Sequence, residues 1–123
     1  MNVALWIVQV IVGLMFLMAG GTKVMQPKAK LAANMGWVED FSQPTVRVIG
    51  VLEILGAIGL IVPAVTGILP WLTPLAAAGL AMTMVGAALT HARRGEYPMI
   101  GVNLLLLALT LFVAYGRWVL APL

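Results

Sequence analysis

The sequence predicts an all-helical integral membrane protein, a bundle of four transmembrane helices in a single domain over 1–123. Three observations carry this reading. Hydrophobic residues make up 63% of the chain and charged residues 9%, against about 25% charged in a soluble domain. Four stretches are apolar over about the 20 residues a helix needs to cross the hydrocarbon. No segment alternates polar and apolar residues with period two, which excludes a transmembrane β-barrel.

The spans follow in order. Span one covers about 3–25. Its run "VALWIVQVIVGLMFLMAGG" is 19 residues without a charge, long for a signal-peptide core and without a basic flank in front. Span two covers about 45–63 and is expected to stop at Pro63. Span three covers about 71–92, opening after Pro70 with Trp71 and Pro74 in its first turn. Span four covers about 98–119, opening at Pro98. The connector "VPAVTGILP" divides spans two and three, because its prolines and glycine break helices. Short connections make neighbouring helices antiparallel.

Basic residues orient the bundle. With four spans both termini share one side with the 64–70 loop, and that side holds only Arg117. The other side holds Lys23, Lys28, Lys30, Arg47, Arg93 and Arg94. By the positive-inside rule, 26–44 and 93–97 face the cytoplasm and both termini lie outside. The pI of 9.8 therefore reflects membrane orientation, and no nucleic-acid partner is expected.

The 26–44 connection is the only long one. Leu31, Met35, Val38 and Phe41 fall near helical spacing beside Trp37. Two readings stand: a short helix lying on the membrane surface, or a loop packed by its own apolar residues. An echo of "GLMFLMAGGTK" (13–23) in "GLAMTMVGAALTH" (79–91) is compatible with a two-plus-two parallel repeat.

The polar residues then raise a question of depth. Glu53 sits inside span two, where a carboxylate is unfavourable by roughly 2.5–3.5 kcal/mol on insertion scales. Eight residues separate it from Thr45, which puts it about 12 Å in. Asn103 lies about 7–8 Å deep in span four. Lys23 ends span one, Arg47 opens span two and His91 ends span three on the same side. Lys23, Arg47, Glu53, His91 and Asn103 thus come from all four helices and share the cytoplasmic half. Intramembrane ionisable groups face a bundle interior and pair there, so these five form the candidate ligand-binding set. The outer half offers Gln9, Thr66, Thr73 and Tyr115. Glu53 also lies on a small-residue face made by Gly50, Gly56 and Ala57, which admits a neighbouring backbone.

Each residue has a plainer role. Glu53 can pin helix register, His91 can pair with Glu96, and Asn103 can hydrogen-bond between helices. Lys23 and Arg47 can snorkel to the headgroups. The eight methionines suit flexible packing better than a metal path. With no cysteine and a single histidine, the chain has no disulfide, thiolate nucleophile or CxxC chemistry, and no metal site is expected. No phosphate loop, catalytic triad or nucleotide fingerprint is present, and no catalytic residue can be named.

Three stretches carry a resemblance: "GGTKVMQP" at 20–27, the run from Trp37 to Glu96, and the region of Asn103. With Arg47-x-x-Gly50-x-x-Glu53-x-x-Gly56 and the His91 ending of span three, the chain resembles the DoxX-like family of small four-helix bacterial membrane proteins over nearly its whole length. The resemblance implies a multi-pass protein of the bacterial inner membrane. Relatives in the broader superfamily are linked to quinone-coupled oxidation, such as the membrane subunit of thiosulfate:quinone oxidoreductase, to membrane oxidoreductase complexes, and to methylamine-utilisation maturation. The lack of cysteines departs from the last type.

The expected function is a redox- or quinone-associated membrane subunit, or a binder of a lipophilic small molecule, with no intrinsic cofactor and a bound quinone or similar lipid as ligand. The ligand's carbonyls would accept hydrogen bonds from His91, Asn103 or Lys23. Whether the chain is an enzyme stays open. One alternative is an assembly partner in which Glu53 pins helix packing. Small faces at Gly13/Ala19/Gly20/Gly21 and Gly56/Gly59 would then support a homo-oligomer or an oxidoreductase partner. A second alternative is an oligomeric transporter of protons or a small solute.

Overall fold

The computed structural model describes residues 1–32 and 35–123. Four long helices dominate: α1 (Asn2–Met25), α3 (Gln43–Thr66), α4 (Leu72–Arg93) and α5 (Tyr97–Tyr115), with a short α2 (Lys28–Ala32) and a 3-10 turn (Gly36–Asp40) between α1 and α3. No strand occurs among the described residues. At 24 residues, α1 is about 36 Å long, enough to cross about 30 Å of hydrocarbon. All four long helices are apolar enough to span a membrane.

The helix boundaries have local causes. At α3, Ser42 is the N-cap; its hydroxyl accepts from the Thr45 N–H at 3.4 Å, and a proline occupies the first turn. That is the expected chemistry of a helix start. At α5 a proline again sits in the first turn. Pro63, however, does not end span two: α3 continues through it to Thr66 and closes at Gly67. Proline lacks the N–H that would bond the Gly59 carbonyl. The Thr73 hydroxyl of α4 donates to that carbonyl instead, at 3.0 Å. The neighbouring Leu60 carbonyl accepts from Gln9 Nε2 of α1 at 2.7 Å. Packing against other helices keeps the freed backbone satisfied, which is how spanning helices tolerate proline.

α1 packs most extensively on α3, and α4 on α5, with α3 against α4 closing the middle. Val12, Phe16, Ala57, Leu60, Leu80, Met84 and Val113 form a common core. Ile7, Leu14, Met18, Leu55, Val62, Met82 and Leu105 point outward and are exposed. An apolar exterior of this kind suits lipid.

Where α1 meets α3, glycine lies on glycine. A methyl at Gly20 would lie 2.5 Å from the Gly50 carbonyl oxygen, and one at Gly50 would lie 2.8 Å from the Gly20 oxygen. Only residues without a Cβ allow α1 and α3 to meet there. Lys23 and Glu53 each lie three residues beyond this contact, on facing helices.

The 26–44 connection folds inward. Leu31 and Val38 are buried with Val46 of α3, and Met35, Trp37 and Phe41 pack against them. The apolar side chains seal one end of the bundle, as the self-packed loop reading expected. The short surface helix suggested by the spacing of Leu31, Met35, Val38 and Phe41 would run through residues 33 and 34, which lie outside the described residues.

Candidate functional site

Both ends of the bundle bury polar groups. At the end carrying most of the basic residues, Lys23 and Glu53 form an ion pair, Nζ to Oε1 at 2.7 Å, with side chains 9% and 3% exposed. The other side of the ammonium faces the Trp37 ring, 5.7 Å from its centroid. Trp37 meets Phe41 edge-on at 5.7 Å. The cover segment thus lies over the ion pair and supplies a cation–π contact.

His91 is placed by the turn that ends α4. Gly95 adopts φ +72°, the left-handed conformation glycine favours. The Glu96 N–H then bonds the His91 carbonyl at 2.8 Å, and the Gly95 N–H bonds the Ala92 carbonyl at 3.2 Å, a Schellman closure. This turn swings the Glu96 carboxylate back onto His91, with Oε1 3.0 Å from Nδ1. Arg94 sits 3.3 Å from the same oxygen and pairs with Asp40 of the cover at 3.0 Å. Asp40 holds the Arg94 guanidinium above its ordinary pKa against a smaller opposing effect of burial, so the strap between cover and turn stays charged.

Asn103 of α5 is buried, its Nδ2 3.9 Å from Met84 Sδ. Its Oδ1 has no hydrogen-bond partner.

Lys23, Glu53, His91 and Asn103 line one cavity of about 680 Å³. Its walls are otherwise largely apolar, with Phe16, Trp37, Met84 and Leu106 among them. Met15, Leu52, Leu89, Met99 and Val102 also line it and are exposed on the outer surface. The cavity therefore opens sideways, towards the lipid-facing surface. Drug-sized ligand sites span about 300–1,000 Å³ and show the same mixture of apolar wall and few polar groups.

Arg47 does not join the others. It is exposed on α3 and does not line the cavity. Six residues from Glu53, it points about 120° away round the helix at 100° per residue. Sharing a depth is not sharing a face.

Sequence reasoning also treated Arg117 as an orientation residue alone. In the structure it is 3% exposed. Its Nε donates to Gln9 Oε1 at 2.6 Å, and its Nη1 donates to Asn2 Oδ1 at 2.7 Å and to the Ala121 carbonyl at 3.0 Å. Trp6 stacks 5.5 Å from the guanidinium. A π turn at Gly116–Leu120 carries Arg117 inward, and Gly116 lets Leu5 press against the backbone. The available signal was Gln9, an amide in the interior of an apolar span, on the same side as the lone arginine.

Several small residues expected on an outer face are spent inside the chain. Gly13 faces Ile61, Gly56 faces Leu80 and Gly59 faces Ala76, while Gly21 meets open space. Among the described residues no cluster of three or more His, Asp or Glu side chains could hold a metal ion.

Comparison with curated proteins and with solved structures returned no match. Residues 7–113 match the model of the DoxX-like family. With four helices apolar enough to cross a bilayer and a family match over nearly all its length, this chain is a multi-pass membrane protein that belongs to the DoxX-like family.

Proposed function

We propose that this protein binds a lipophilic small molecule with a polar head, of the quinone class, and serves as a redox-associated component of the bacterial inner membrane. The observation that carries the reading is the convergence of Lys23, Glu53, His91 and Asn103, one from each long helix, on a single cavity open towards lipid. Apolar walls suit a prenyl or acyl stem, and the polar groups suit a head. Six of the seven basic residues lie at this end, which supports a cytoplasmic orientation for it by the positive-inside rule. The chain carries no electron carrier of its own, so any electrons come from a partner protein or a soluble reductant.

The test is mass spectrometry of small molecules that co-purify with the protein in mild detergent, beside Glu53→Gln. The expected result is a quinone or similar lipid enriched with the natural protein and lost from a folded Glu53→Gln variant. Absence of any specific lipid from both would remove the site and leave Glu53 as a packing device.

One observation favours that second reading: the 2.7 Å ion pair of Lys23 and Glu53 beside the glycine contact. In it the pair sets the register of α1 on α3, and the cover at 35–41 meets a partner protein. Loss of assembly without loss of ligand in Glu53→Gln would identify it.

A further inference from the structure

The cavity wall carries four charged or titratable side chains, Lys23, Glu53, His91 and Arg93. Lys23 and Glu53 are closed on each other, 9% and 3% exposed. The apolar cover of Leu31, Trp37, Val38 and Phe41 lies between this end of the bundle and water. Arg93 keeps its proton throughout the physiological range. His91 differs from all three. Its side chain is 7% exposed on the cavity wall, and its Nδ1 lies 3.0 Å from Oε1 of Glu96, whose side chain is 32% exposed. Among the described residues it is the one cavity-lining group that touches a carboxylate reaching solvent.

That carboxylate is anchored. The Glu96 N–H bonds the His91 carbonyl at 2.8 Å, so the turn at Gly95 sets Glu96 against the ring. Arg94 lies 3.3 Å from the same Oε1 and 3.0 Å from Asp40 of the cover. An imidazole has two ring nitrogens, and it takes a proton at one while giving one up at the other. Such a relay works from either neutral tautomer. With Nδ1 on Glu96, Nε2 is the nitrogen left for the cavity.

Reduction of a quinone to its dihydroxy form consumes two electrons and two protons, one proton for each O–H bond made. The electrons come from the partner protein or soluble reductant named above. The protons have to come from water into a site roofed by the cover and open sideways to lipid. Oxidation has to return them.

We infer that His91 and Glu96 form the route by which protons pass between the ligand's head and cytoplasmic water. Glu96 exchanges with water, and His91 passes the proton to or from an oxygen of the ligand. This inference rests on the ligand-binding reading above and assigns the proton path within it.

The experiment follows proton delivery without any redox step. The probe is a decyl-substituted hydroxynaphthoquinone, whose ring absorbs differently once its hydroxyl ionises. It is bound to the full chain in nanodiscs, with empty nanodiscs as the blank, and its absorbance is followed after a rapid change of pH. The bound probe is expected to relax at least about a hundredfold faster in the natural chain than in His91→Ala, the lower end of what a placed acid or base contributes. Added imidazole should restore much of the lost rate, which repair of a packing defect would not do. Glu96→Gln keeps a hydrogen-bonding group at the turn but passes no proton, so it should slow the relaxation with probe affinity unchanged. Equal rates in the natural chain and both variants overturn the inference and leave the ligand site standing. Slowing in His91→Ala that imidazole does not restore, with no slowing in Glu96→Gln, marks a structural loss and overturns it too. Failure of the probe to bind the natural chain overturns the ligand reading and the inference together. If His91→Ala does not fold, Glu96→Gln at the turn decides: an unchanged rate overturns the relay and a slowed one supports it.

Discussion

The two ends of this bundle bury similar polar groups and use them differently. At the terminal end, Gln9 bonds both Arg117 and the Leu60 carbonyl, and Arg117 adds Asn2 and the Ala121 carbonyl. These bonds tie α1 to the C-terminal turn, although Arg117 Nη2 is buried without a partner. At the basic end, Lys23 and Glu53 pair with one another, Asn103 Oδ1 finds no donor, and a cavity of about 680 Å³ lies beside them. Polar groups bonded to one another hold helices together. Polar groups that line a cavity support the ligand-binding proposal. Burial alone does not separate the two cases; the volume next to the groups does.

The comparison is broken most severely at the terminal end. Gln9→Leu removes two buried hydrogen bonds, one to the Arg117 guanidinium and one to the Leu60 carbonyl, worth about 1.5–3 and about 0.5–1.5 kcal/mol respectively. The expected result is a large fall in unfolding midpoint in detergent, with ligand affinity unchanged in the protein that remains folded. Lys23→Met should cost a similar or slightly smaller amount, about 3 kcal/mol for removing one partner of a buried ion pair, since the cavity lets the carboxylate relax. Its distinguishing result is that Lys23→Met combined with Glu53→Leu regains most of the lost stability in a double-mutant cycle.

Gly20→Ala sharpens the contrast by acting at the backbone. Its methyl meets the Gly50 carbonyl oxygen at 2.5 Å, and overpacking of this kind costs about 1–3 kcal/mol. A thermal-unfolding midpoint checks the loss of stability. Displacement of Lys23 from Glu53 should also weaken ligand binding. Smallest is Thr73→Val, about 0.6–1.7 kcal/mol for a hydrogen bond between spanning helices. In a Pro63→Ala background it should cost less still, because the restored N–H can satisfy the Gly59 carbonyl. Equal cost in both backgrounds would show that Thr73 does not serve the carbonyl that Pro63 frees.

Much of this architecture was legible in the residues. The apolar runs located all four spans, and counting residues into the membrane placed Lys23, Glu53, His91 and Asn103 at one level. Depth is a one-dimensional measure, however. It could not show that Arg47 lies on another face of α3, because the direction of a side chain depends on how α3 is rotated against α1. Pro63 looked like a terminus because its missing bond is visible in sequence and the replacement from Thr73 is not. Arg117 looked like a surface charge because its partners stand at the far end of the chain. His91 pairing with Glu96 was foreseeable from a spacing of five residues. The Schellman turn at Gly95 that enforces it depends on backbone geometry.

The bond between Arg117 and Gln9 joins residues 108 positions apart, and this has a consequence for how the protein is made. Gln9 leaves the ribosome early and must wait through the synthesis of three further spans for its partner. In that interval its side-chain oxygen has no guanidinium to accept from, and α1 is held mainly by α3. The network at this end therefore closes only when translation reaches residue 117. A chain interrupted before that point keeps the bond from Gln9 to the Leu60 carbonyl but lacks the guanidinium for the Gln9 oxygen.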